Sequence, residues 1–137
     1  MKTYDLKFKG YWRDVNRQGL PMTAGIYIVY KCIYNELSDT VTLLEILYIG
    51  QAKNLNERVD THDKRDTFLG KCNGAETLCY SVAEVKETDL NIVENALVFA
   101  QKPALNDKLK DTFNYESAEF HIEGRCALLG HLNFTIG

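Results

Sequence analysis

The chain has no long apolar run. None of its hydrophobic stretches approaches the roughly 20 residues that a membrane-spanning helix needs, and the opening MKTYDLKFKG lacks the apolar core of an export signal. A cytoplasmic location is therefore expected, and the glycosylation triplet at Asn133 is idle. Only two prolines occur, with no repeat and no low-complexity linker, so a single domain over residues 1–137 is expected. The four cysteines, Cys32, Cys72, Cys79 and Cys126, include no C-x-x-C pair and lack a histidine at metal-ligand spacing. Reduced thiols are expected, and the spacing argues against a structural zinc site. Excess positive charge is missing too: a net charge of −3 argues against a broad nucleic-acid footprint.

What charge there is lies unevenly. Residues 1–20 carry Lys2, Lys7, Lys9, Arg13 and Arg17 against Asp5 and Asp14, whereas residues 84–137 carry nine acidic side chains against five basic. Tyr4, Phe8, Tyr11 and Trp12 are interleaved with the N-terminal cations. Such a mixture can track phosphates and stack on bases. It also fits an amphipathic edge segment that packs its aromatics inward.

AGIYIVYKCIY, residues 24–34, is rich in Ile, Val and Tyr and reads as a buried strand. The turn-like NELSDT separates it from VTLLEILYIG, residues 41–50, so an antiparallel hairpin is expected. Asn54 and Glu57 have capping-box spacing, which predicts a helix to about residue 66. ETLCYSVAEV, residues 76–85, predicts a third strand. TDLNIVENALVFAQ, residues 88–101, predicts a second helix with Thr88 as N-cap and Pro103 beyond its end. The tail from Tyr115 fits short strands or helical patches. The fold class is thus α+β: a small three-stranded antiparallel sheet flanked by helices, with a C-terminal extension.

Alternation places Tyr27 with Val29, and Tyr48 with Ile46 and Gly50, so pairing can bring the two tyrosines together. Such pairs also serve as plain cross-strand packing. Arg58 and His62, four apart, share a face of the first helix, either as a solvated surface or as a site beside the strand end that carries Tyr48. Glu94 lies between Leu97 and Val98 on the wheel of a mostly apolar helix, so its charge needs a partner. A salt bridge or a hard divalent cation would each supply one.

Taken in order, these residues resemble the GIY-YIG nuclease domain. Gly25-Ile26-Tyr27 matches GIY and Tyr48-Ile49-Gly50 matches YIG. Arg58, His62, Glu94 and then Asn106, twelve residues further on, complete the pattern across residues 24–106. Residues 1–23 and 107–137 are extensions. The chain looks most like the N-terminal domain of the bacterial excision-repair incision subunit and short stand-alone relatives. The resemblance implies a divalent-metal-dependent DNA endonuclease acting on structured or damaged DNA with Mg²⁺ or Mn²⁺. It implies Glu94 as metal ligand, Arg58 on the scissile phosphate, Tyr27 taking the proton of the attacking water or orienting it, Tyr48 and His62 completing the polar cluster, and Asn106 supporting them from behind. DNA, and a protein that supplies specificity, are the implied partners, with no membrane. The alternative is a catalytically silent module that keeps the fold and binds nucleic acid or protein. Gln51 stands where related domains often have lysine, and Lys53 is the nearest substitute.

Overall fold

The basic, aromatic arm folds as a strand. In the computed structural model, which describes all 137 residues, β1 (Lys2–Arg13) buries Leu6 and Phe8 and leaves Lys2, Lys7 and Lys9 exposed. A 3-10 turn, Asp14–Gly19, leads to β2 (Gly25–Asn35), buried without interruption from Gly25 to Tyr30. The polar loop then reverses the chain into β3 (Thr40–Ala52), antiparallel to β2 as the alternation predicts.

The helices depart from expectation at their ends. Asn54 does cap α1 (Leu55–Asp60), accepting from the Glu57 backbone N–H at 3.1 Å. The helix stops six residues short of the expected end: the Thr61 backbone, at φ −112° and ψ 24°, leaves helical geometry, and its hydroxyl joins its N–H in donating to the Glu57 carbonyl, at 2.7 and 3.0 Å. A turn through His62 follows, and then α2 (Arg65–Leu69). Arg58 and His62 therefore do not share a helical face. After β4 (Glu76–Glu84), α3 (Leu90–Gln101) also begins late. Thr88 is not its cap but sits in a 3-10 turn, Glu87–Asp89, where the Asp89 N–H bonds the Lys86 carbonyl. Lys102, at φ 49°, ends α3 just before Pro103. The tail supplies two strands, β5 (Ala118–Gly124) and β6 (Asn133–Ile136).

The strand order is β3-β2-β4-β1-β5-β6. The expected antiparallel trio is present at one end, but the sheet has six strands and is mixed, because β1 runs antiparallel to β4 and parallel to β5. The N-terminal arm thus packs aromatics inward from the sheet's interior rather than at its edge. There it covers backbone groups that β4 would otherwise leave unpaired.

Each face carries its own apolar cluster. Leu90, Val93, Ala96, Leu97 and Val98 of α3 pack on Ile26, Ile28, Tyr30 and Ile49. On the other face Leu55, Val59 and Phe68 from α1 and α2 pack on Tyr27, Val29, Leu78, Tyr80 and Val82. Each fully buried side chain of this size is worth roughly 1.5–3 kcal/mol relative to exposure. No helix is long and apolar enough to cross a membrane.

Candidate active site

Two close approaches account for the glycines of the tripeptides. A Cβ on Gly25 would lie 2.2 Å from the Ala83 carbonyl oxygen of β4. A Cβ on Gly50 would lie 2.3 Å from the Tyr27 hydroxyl and 2.4 Å from its Cζ. The Tyr27 ring therefore rests on the bare backbone of Gly50, its register partner. Tyr48 sits opposite Val29, on the same face, and the two tyrosine rings are 6.2 Å apart and inclined by only 24°. A β-bulge at Leu47 makes this arrangement depart from strict alternation. The register passes from Val29–Tyr48 to Tyr30–Ile46, so Ile46 packs on the α3 face while Tyr48 stays with Tyr27.

His62 closes the cluster, edge-on to both tyrosines at 5.6 and 5.5 Å and packed on Phe68 at 5.0 Å. Its Nδ1 accepts the Lys64 backbone N–H at 3.0 Å. The ring's proton must then reside on Nε2, which lies 2.8 Å from the Tyr27 hydroxyl and donates to it. Burial, with the Arg58 charge adding to it, pushes the His62 pKa down to about 4, so the ring is neutral. The 3.6 Å approach of Asp63 to Nδ1 is accordingly not an ion pair. Burial also drives the Tyr27 pKa well above the ordinary tyrosine range, against the opposing pull of Arg58. Tyr48 is raised by burial and by the charge of Glu94.

Arg58 reaches the cluster from the last turn of α1, with Nη1 donating to Asp63 at 3.0 Å. Burial works against its charge, but Tyr27 and Asp63 outweigh it and raise its pKa. It also lines a shallow depression of about 280 Å³ with Lys53 and Asn54. Lys53 itself is exposed and pairs with Glu87 at 3.6 Å, away from the tyrosines.

Glu94 projects from α3 at the β3 edge of the sheet. Its partner is neutral: Gln51 Nε2 donates to Oε1 at 3.0 Å and to Asn91 at 2.7 Å. Burial raises the Glu94 pKa, opposed by Gln51 and, at longer range, by Arg58. Of the two partners considered for this carboxylate, the salt bridge is not formed. Asp63 and Asp107, whose charges are felt at Tyr48, are paired with Arg58 and Lys64, at 3.0 and 3.7 Å. No group of three or more His, Cys, Asp or Glu is placed to hold an ion between them. A single unpaired carboxylate fits magnesium-type binding, in which waters and substrate phosphate fill most of the coordination shell.

Asn106 lies behind the hollow. Its Oδ1 accepts the Ile49 N–H at 3.0 Å and its Nδ2 donates to the Ile49 carbonyl at 2.9 Å, extending the ladder of β3. Tyr27, Tyr48, His62 and Arg58 thus gather at one end of the β2–β3 hairpin, the charge of Glu94 reaches them from α3, and Asn106 braces Ile49 in the strand that carries Tyr48. Two residues had no assigned place. Gln51, noted only as a departure from related domains, holds Glu94. Lys64, which no periodicity marks, places its Nζ 5.1 Å from the Tyr48 ring centre.

No family model and no solved structure matches the chain. Three curated proteins called UvrABC system protein C do match. The one from Methanococcus maripaludis is 32% identical over 107 residues, covering 74% of this chain and 18% of that protein. Those from Chlamydia abortus and Petrotoga mobilis are 29% and 31% identical over 106 and 102 residues, covering 72% and 70% of this chain and 15% and 16% of theirs. The chain belongs to the GIY-YIG domain family. It spans less than a fifth of the length of the relatives it matches. Gln51 on Glu94 and Lys64 beside the Tyr48 ring are contacts that the motif order does not announce.

Proposed function

We propose that the protein is a DNA endonuclease that hydrolyses phosphodiester bonds with Mg²⁺ or Mn²⁺, acting on structured or damaged DNA. The observation that carries this reading is the half-buried, cation-free carboxylate of Glu94, whose charge is felt by Tyr27, Tyr48 and Arg58 alike. A divalent ion on Glu94 would supply positive charge against the scissile phosphate. Arg58, with its planar fork, meets two phosphate oxygens and offsets the charge that develops on them. The raised pKa of Tyr27 keeps it protonated, which suits orienting the attacking water better than deprotonating it. The His62 Nε2–H occupies one side of the Tyr27 oxygen and leaves its O–H free to point into the hollow. Tyr48 walls the site, and Asn106 fixes the strand that carries it. The relatives are named as protein C of a UvrABC system, which supports a protein partner that supplies specificity.

The test is to incubate the purified protein with branched, nicked and plain duplex DNA, with and without Mg²⁺ or Mn²⁺. Cutting that requires the ion and disappears in a folded Glu94→Ala variant is the expected result. An intact wild-type protein that cuts none of these substrates would instead support a silent nucleic-acid- or protein-binding module.

A further inference from the structure

Of the five arginines, Arg17, Arg58 and Arg65 are each bonded to an aspartate. Arg13 and Arg125 form no ion pair. Both line one cavity of about 490 Å³, together with Tyr11, Asn16, Tyr34 and Asp39. The Arg13 guanidinium is stacked on the Tyr34 ring, 3.5 Å from its centre, and its Nε is buried with no hydrogen-bond partner. A buried, unpartnered N–H on a cation is costly, and the cost is relieved only when an acceptor arrives. Stacking fixes the plane of the guanidinium and leaves its outer edge to meet an anion. The one carboxylate in the cavity, Asp39, accepts from the Tyr34 hydroxyl at 2.7 Å and so holds the ring rather than the arginines. Arg125 is anchored by its backbone N–H, 2.9 Å from the Phe8 carbonyl.

This cavity is remote from the tyrosine hollow. Arg13 is in register with Cys79, and Tyr34 lies two residues beyond Cys32; both cysteines belong to the α3-face core. Tyr27 belongs to the opposite face, and the seven residues from it to Tyr34 span roughly 23 Å of strand. Both arginines come from the extensions outside the GIY-YIG match.

We propose that Arg13 and Arg125 form a second anion site that takes a backbone phosphate of a nucleic-acid strand. The choice of a strand rests on the nuclease reading above; the phosphate chemistry does not. The test uses the Glu94→Ala protein, so that DNA stays intact, and follows arginine side-chain N–H resonances by NMR. Inorganic phosphate, a single-stranded oligonucleotide and polyglutamate are titrated in turn. Shifts at Arg13 and Arg125 with both phosphate and oligonucleotide are expected. Arg125→Ala, an exposed position with no part in the core, should weaken oligonucleotide binding and lower its salt slope by about one. Shifts with inorganic phosphate but not DNA overturn the assignment to a strand, and shifts with polyglutamate alone overturn the phosphate site. An unchanged salt slope in Arg125→Ala does the same. Because the titration needs no cleavage, failure of the nuclease reading would show separately, as the absence of cutting in the wild-type protein.

Discussion

A methyl group on residue 50 has nowhere to go. It would meet the Tyr27 hydroxyl at 2.3 Å, and that ring is held from the far side by His62. Gly50→Ala must swing the tyrosine or part the strands, an overpacking cost of about 1–3 kcal/mol. Urea denaturation should register that loss, and any cutting activity should fall much further than stability. His62 offers a second test. Its pKa is about 4 in the folded protein, against 6.5 for a free histidine. The unfolded chain thus binds the proton more readily, so this contribution is fully present above pH 6.5 and drains away as pH falls toward 4. The two values differ by roughly 3 kcal/mol at most. Comparing unfolding free energies at pH 7.5 and 4.5, His62→Gln should lose less stability than the wild-type protein. An equal loss in both would show that folding does not lower the His62 pKa.

Between elements, the helix that carries Arg58 and the turn that carries His62 are tied down by a group outside the family match. Asp14, in the 3-10 turn after β1, accepts from Arg65 of α2 and from the Tyr80 hydroxyl of β4, and Arg17 bridges it to Asp60 of α1. Burial favours protonation of Asp14, but Arg65, Tyr80 and Arg17 prevail and hold its pKa below the ordinary range. Asp14→Asn should cost about 2–3 kcal/mol, less than the ~3–5 of an enclosed pair because Arg65 keeps contact with water. Hydrogen exchange should show residues 55–69 losing protection before β2 and β4. The hairpin and α3 were legible because their periodicity is local: apolar runs bounded by turn residues, and a wheel with one misplaced carboxylate. The break between α1 and α2 was not, since residues 54–65 contain neither glycine nor proline. It arises where Thr61 bonds back to Glu57 and the His62 ring accepts from Lys64. Arg58 and His62 still meet at Tyr27, by a turn rather than by helical spacing. The bulge at Leu47 was equally hidden, because alternation reads one strand and a bulge belongs to a pair.

For the whole molecule, the extensions are half of the sheet. Ala118, Phe120, Ile122, Cys126, Leu129 and Ile136 supply six of the 21 residues in the α3-face core. A chain stopped at Ser117 loses them and bares the edge of β1, so it should show no cooperative thermal transition by circular dichroism. The tail was ambiguous in the sequence because its alternation is weak and its partner is far away. Ala118 pairs with Lys2, 116 residues earlier, and no local pattern announces such a ladder. The order of site residues was legible without it, since all six fall within residues 24–106, between the two extensions.

That long-range ladder also settles where the chain enters and leaves. Lys2 pairs with Ala118 and Ala118 with Ile136, so the first and last strands are separated by one strand only, about 10 Å. A unit whose two ends emerge side by side can be spliced into a surface loop of a carrier protein, or joined end to end and reopened at the Glu36–Asp39 hairpin, without unthreading its fold.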